Sequence, residues 1–140
     1  MDEKMISELR MKSGEHWKKI MEKYGSGEKG TVLDFKDFLQ GRQAASVTLH
    51  GCSVELPVHR QNFIEFIYAY EGRIVTEIDG KELVQEKGDI LLMNQYVEHR
   101  VKPTGNENEA LILAALPDFF EKPLEMMKKQ SLITDFLTNM

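Results

Sequence analysis

Between residues 31 and 116 the chain is a series of short runs rich in Val, Ile, Phe, Thr and Tyr, separated by turn residues at close spacing. The runs are Ser46–His50, Ser53–Leu56, Phe63–Tyr70, Arg73–Ile78, Asp89–Met93 and Ala110–Leu116. Asp79-Gly80 lies between Arg73–Ile78 and Lys81–Val84, which is a two-residue hairpin signal. Glu71-Gly72 and Gln85–Gly88 mark two further turns. Many short strands with no helices between them predict a mainly β fold, a sandwich or small barrel.

The flanks have a different texture. In residues 1–24, Met5, Ile6, Leu9, Trp17, Ile20, Met21 and Tyr24 recur at spacings near three and four, the stripe of an amphipathic helix packed on the main domain. Gly14 interrupts that stripe and admits a break into two short helices. Gly25–Gly30 reads as a flexible connector. After the β region, Pro117 suits a first helical turn, with Phe119, Phe120, Leu124 and Met127 behind it. Ser131 is a plausible N-cap for a second helix carrying Ile133, Phe136, Leu137 and Met140. The expected organisation is therefore an N-terminal helix and connector over 1–30, a β-barrel over 31–116 and two C-terminal helices over 117–140. The chain stops with the last helix barely begun, as a natural end can and as a piece cut from a longer protein more often does.

Composition narrows the function classes. Among 140 residues, 41% hydrophobic and 29% charged is a soluble globular balance. No apolar run approaches the ~18 residues of a membrane span. The N-terminus lacks the apolar core of a signal peptide. A single cysteine, Cys52, excludes an internal disulfide and a cysteine-rich zinc site, so a reducing, cytoplasmic setting is the default. The net charge is −5, and the 31–116 region carries 8 Lys and Arg against 13 Asp and Glu. Such a chain lacks the clustered cations that phosphate contacts need, so it does not bind nucleic acid by itself.

Chemistry-bearing residues gather in two segments, Pro57–Gly72 and Gly88–His99. On a strand, residues at even spacing share a face. His59 and Gln61 therefore point the same way if their segment is extended, and Glu65, Ile67 and Ala69 alternate against Phe66, Tyr68 and Tyr70. A barrel of this size holds one small ligand inside.

These segments resemble the two motifs of the cupin superfamily, with His59, Glu65 and Gly72 at the spacing of the first motif and Gly88, Asp89 and His99 at that of the second. Gln61 stands where the first motif has its second histidine, and Asn94 and Tyr96 replace the usual Pro and Gly of the second. The resemblance implies a double-stranded β-helix, or jelly-roll barrel. It leaves open what His59, Glu65 and His99 do. Two histidines and a carboxylate form a facial triad suited to a divalent metal such as iron, manganese, nickel or zinc. A neutral amide at Gln61 is a poor substitute for imidazole on such a metal. Alternatively they hydrogen-bond a small ligand, or simply pair at the barrel mouth. The expected pocket comprises His59, Gln61, Glu65, Tyr68, Tyr96 and His99, with no cofactor required.

The longer strings Glu65–Gly72, Ile78–Gly80, Gly88–Asn94 and His99–Val101, followed by Phe119-Phe120 and a helical tail, are similar to the N-terminal sensor domain of AraC-type transcription regulators. That resemblance implies a barrel that binds a small-molecule effector, often a sugar. It implies C-terminal helices that pair two copies through Phe119, Phe120, Leu124, Met127, Phe136 and Leu137. DNA would be read only by a separate C-terminal domain, since 117–140 has three lysines and four acids and no basic recognition helix. A free-standing, metal-dependent cupin enzyme, a dioxygenase or isomerase acting on a small polar substrate, is the alternative.

Overall fold

The structure, a computed structural model, describes residues 2–27, 30–38, 45–52 and 54–120. It opens with α1, Glu3–Tyr24, whose first turn is capped by Asp2 accepting from the Met5 backbone N–H at 2.8 Å. The helix runs through Gly14 without a break, and its buried stripe is Ile6, Ser13, His16, Trp17, Ile20 and Tyr24. One glycine costs a helix only about 1 kcal/mol against alanine, and packing of the stripe outweighs that.

Nine strands follow: β1 (Thr31–Leu33), β2 (Ala45–Cys52), β3 (His59–Gln61), β4 (Ile64–Glu71), β5 (Ile74–Ile78), β6 (Lys81–Gln85), β7 (Ile90–Met93), β8 (His99–Val101) and β9 (Gly105–Ala115). They form two sheets, one in the order β1-β3-β8-β5-β6 and one in the order β2-β9-β4-β7. All pairs are antiparallel except β1 with β3. The β5–β6 hairpin turns at Asp79-Gly80, and both residues have positive φ, 49° and 79°. That is the backbone a type I′ turn requires, which is why Asp-Gly suits it.

The core lies between the sheets. Phe63, Ile67, Ala69, Ile74, Met93, Ile112 and Ala114 are buried there, joined by Trp17, Ile20 and Tyr24 from α1. The helix packs along β2, an edge strand whose outward N–H groups would otherwise lack partners. Ser13 Oγ accepts the buried Leu49 N–H at 2.8 Å, and Arg10 grips Glu109 with two hydrogen bonds of 2.8 and 2.9 Å.

Three expectations change. Val54–Pro57 carry no regular strand where Ser53–Leu56 was expected to form one. Strands β1, β3 and β8, three residues each, were not expected as strands. A three-residue run is too short to show alternation, and its pairing is supplied by distant partners. Where the first C-terminal helix was expected to begin, Pro117–Phe120 form a 3-10 turn. The rest of the expected helical pair, with Leu124, Met127, Phe136 and Leu137, lies outside the described residues.

Candidate functional site

The site is built where the two sheets face each other. In β3, alternation turns His59 and Gln61 inward and Arg60 outward. In β4 it turns Glu65, Ile67 and Ala69 inward, while Phe66, Tyr68 and Tyr70 face away. His99 of β8 stands directly opposite His59 in the ladder, and their ring centroids are 4.6 Å apart. From the other sheet, β2 adds His50, which is buried.

These residues enclose a cavity of about 20 Å³ lined by His50, His59, Glu65 and His99, with Trp17 and Phe38 among its apolar walls. That volume admits about one water-sized particle. Trp17 reaches it from α1 and meets His50 edge-on, with centroids 4.7 Å apart at 88°.

Burial decides the charge state of this lining. Desolvation pushes His50 down to about 4, with the His59 ring adding to the effect. Desolvation likewise holds His99 at about 3, again with His59 contributing. His59 is lowered by the same cause, partly offset by its bond to Pro57. The Glu65 carboxyl is pushed the other way, up to about 7, because burial penalises its anion. Gln61 lies beside Glu65 and slightly favours its ionised form, yet neither amide atom of Gln61 reaches hydrogen-bonding geometry with any partner. The three histidines of the lining are therefore neutral near pH 7, as low-dielectric surroundings demand, while Glu65 titrates in that range.

Hydrogen bonds also set the histidine tautomers. His59 Nδ1 donates to the Pro57 carbonyl at 2.8 Å, and His99 Nδ1 donates to the Val97 carbonyl at 3.1 Å. Each neutral ring then keeps Nε2 as its unprotonated nitrogen, the arrangement that orients a metal-binding imidazole. The third ligand is what fails. Among the described residues, no three His, Cys, Asp or Glu side chains converge closely enough to hold a metal ion. Gln61 occupies the position of a further histidine. The lining supplies imidazole and carboxylate donors of the right type, but among the described residues they are not placed as a metal-binding group.

Of the six expected pocket residues, His59, Glu65 and His99 line one cavity. Gln61 is buried beside Glu65 but is not part of the cavity wall. Tyr68 and Tyr96 are 37% and 54% exposed and stand outside it. Tyr68 falls on the outward side of β4's alternation, so its ring cannot stack on an occupant of the barrel. Phe119, expected at a dimer contact, is exposed. Sequence reasoning assigned no role to His50 and expected Trp17 only as a helix anchor. The signal for His50 was its even spacing from Ser46 and Thr48, which are also buried on β2.

Two facing sheets around a small, mostly apolar cavity that carries three histidines and a glutamate define a small β-barrel of the kind that surrounds one compact occupant. The cupin domain family matches residues 46–116, half of the chain, and the chain belongs to that family. Three solved structures illustrate the likeness. An RmlC-like cupin family protein from Methanocaldococcus jannaschii is 14% identical, with 51% of this chain and 68% of that chain covered and a TM-score of 0.43. A Cupin 2 conserved barrel domain protein from Salinispora arenicola is 17% identical over 60% and 75%, with a TM-score of 0.46. The cupin domain of Cnp3 from Schizosaccharomyces pombe is 16% identical over 61% and 65%, also at 0.46. No curated protein matches the chain significantly. Among the described residues, no helix is long and apolar enough to cross a membrane.

Proposed function

We propose that this cupin domain is the effector-sensing and dimerising portion of an AraC-type transcription regulator, acting in the cytoplasm without catalysis of its own. The observation that carries the reading is the shared wall of the cavity, where α1 contributes Trp17 and the barrel contributes His50, His59, Glu65 and His99. An occupant touches helix and barrel together. Any effector larger than one water must also displace part of that wall, because the cavity is about 20 Å³. Binding is thereby coupled to the position of α1, and a ligand shifts that position by its differential affinity for the two arrangements. A decisive switch requires about 5.5 kcal/mol of differential binding. Neutral histidines and a half-protonated carboxyl suit a hydrogen-bonding effector such as a sugar.

In this reading two copies pair through the C-terminal segment that begins at Phe119 and Phe120, and DNA is read by a separate domain. The alternative of a metal-dependent cupin enzyme draws support from His59, Glu65 and His99 lining one cavity. Against it weighs the lack of three converging metal ligands among the described residues.

The test combines metal analysis of the purified protein with thermal unfolding against a panel of sugars and small polar metabolites. A sensor gains about 2.7 kcal/mol from a ligand present at 100 times its Kd, seen as a raised midpoint. Stoichiometric metal with turnover of any panel compound would replace the sensor by the enzyme. Sedimentation of the protein as a monomer at all concentrations would remove the dimer.

A further inference from the structure

Beside the barrel, a cleft of about 550 Å³ runs between α1 and β2, within the usual range of small-molecule sites. Two glycines create it. Gly14 of α1 and Gly51 of β2 both line the cleft, and a Cβ on either would meet nothing within 4 Å. Neither has a positive φ, and Gly14 sits in regular helix, while Gly51 adjoins the register shift of the β2–β9 ladder. Gly14 even weakens its helix relative to alanine. The missing side chains serve the open volume.

The cleft has an apolar floor of Trp17, Met21, Leu49 and Val54. Its rim holds two cations in different states. Arg10 is neutralised by Glu109 through the pair of hydrogen bonds that pins the helix. Lys18 is exposed and has no carboxylate at ion-pair distance among the described residues. Trp17 and Val54 also line the inner cavity, so they form the partition between the two spaces. At that partition the buried indole N–H of Trp17 and Nδ1 of His50 each lack a hydrogen-bond partner.

We propose that this cleft is a second binding site, for a small organic anion with a flat apolar body, in chemical class an aryl carboxylate. The body lies on Trp17, Met21 and Leu49, and the carboxylate faces Lys18. The ligand touches the indole that walls the histidine cavity, so occupancy of the cleft is felt by His50. The site shares only the Trp17 and Val54 partition with the inner cavity, so failure of the cleft to bind would leave the sensor reading untouched.

Trp17 is the single tryptophan, so the full chain gives one indole N–H resonance and one tryptophan emission. Titration with 3-phenylpropionate is expected to shift both saturably, with intermolecular NOEs from the phenyl ring to the methyl groups of Met21 and Leu49. The neutral 3-phenylpropan-1-ol, and the acid against Lys18→Gln, are expected to bind about two- to fivefold more weakly, as one exposed charge contact allows. Gly14→Leu fills the cleft while favouring the helix, and is expected to abolish the shift with no fall in the unfolding midpoint. Gly51→Val blocks the same volume from the strand side and serves if the helix variant misfolds. No saturable shift up to about 10 mM, a ceiling well above typical metabolite-binding Kd values, overturns the proposal. So does the absence of NOEs to Met21 and Leu49, or full binding by a folded Gly14→Leu or Gly51→Val. Equal affinity for acid and alcohol overturns the anion.

Discussion

Glu65 and the buried histidines titrate in opposite senses. His50 and His99, at about 4 and 3, and His16 and His59, also lowered, are neutral in the fold and take up protons more readily once unfolded. Their contribution is complete above about pH 6.5 and is lost as pH falls through their folded values. Glu65, raised to about 7, does the reverse, contributing at low pH and losing that contribution as pH rises through 7. Four histidines outweigh one carboxyl, so the urea midpoint is expected to be lower at pH 4.5 than at pH 7. Glu65→Gln isolates the carboxyl. Its stability relative to the parent is expected to improve by about 1–3 kcal/mol between pH 5 and pH 8. A gap that stays constant across that interval would place the carboxyl in contact with solvent. At this scale the sequence was partly legible, since alternation put Glu65, Ile67 and Ala69 on one face and Phe66, Tyr68 and Tyr70 on the other, while which face is inward was left to the structure. It could not show that Glu65 is half-protonated or that Gln61 leaves its amide unpaired, because both depend on which strands surround them.

At the scale of elements, α1 is anchored by specific contacts at several points, from Arg10 on Glu109 to Lys23 and Tyr24 on Asp37. The hydrogen bond from the Leu49 N–H to Ser13 Oγ is buried, and removing the hydroxyl strands a backbone donor of the edge strand. Ser13→Ala is expected to cost about 1–3 kcal/mol in chemical denaturation. Gly14→Ala is expected to stabilise by about 0.5–1 kcal/mol, since its added methyl meets nothing within 4 Å. A destabilised Gly14→Ala would mean that the helix is bent there. The helix itself was legible from its apolar period, and so was the β5–β6 turn from Asp79-Gly80. The three-residue strands β1, β3 and β8 were hidden, because each exists through a ladder with a partner far along the chain. His59 pairs with His99, and Thr31 with His59.

At the scale of the whole molecule, the ladders are non-local. Strand β2 pairs with β9, and β4 pairs with both β7 and β9, so early and late parts of the chain must meet before either sheet is complete. Such topologies fold in roughly milliseconds to seconds. Stopped-flow refolding followed by Trp17 emission is expected in that range, and a microsecond phase carrying the full amplitude would mean that α1 packs before the barrel forms. Periodicity and turn chemistry by themselves determined that this chain is a β-rich domain preceded by an amphipathic helix, because those signals are local and survive in a linear string, and the cupin reading came from the resemblance of its two motifs to that family. Only the tertiary structure decided that His50 and Trp17 join His59, Glu65 and His99, that Tyr68 and Tyr96 stand outside, and that the metal triad does not close. Each of these depends on the register between strands and on where α1 lands, and neither is written in the spacing of neighbouring residues.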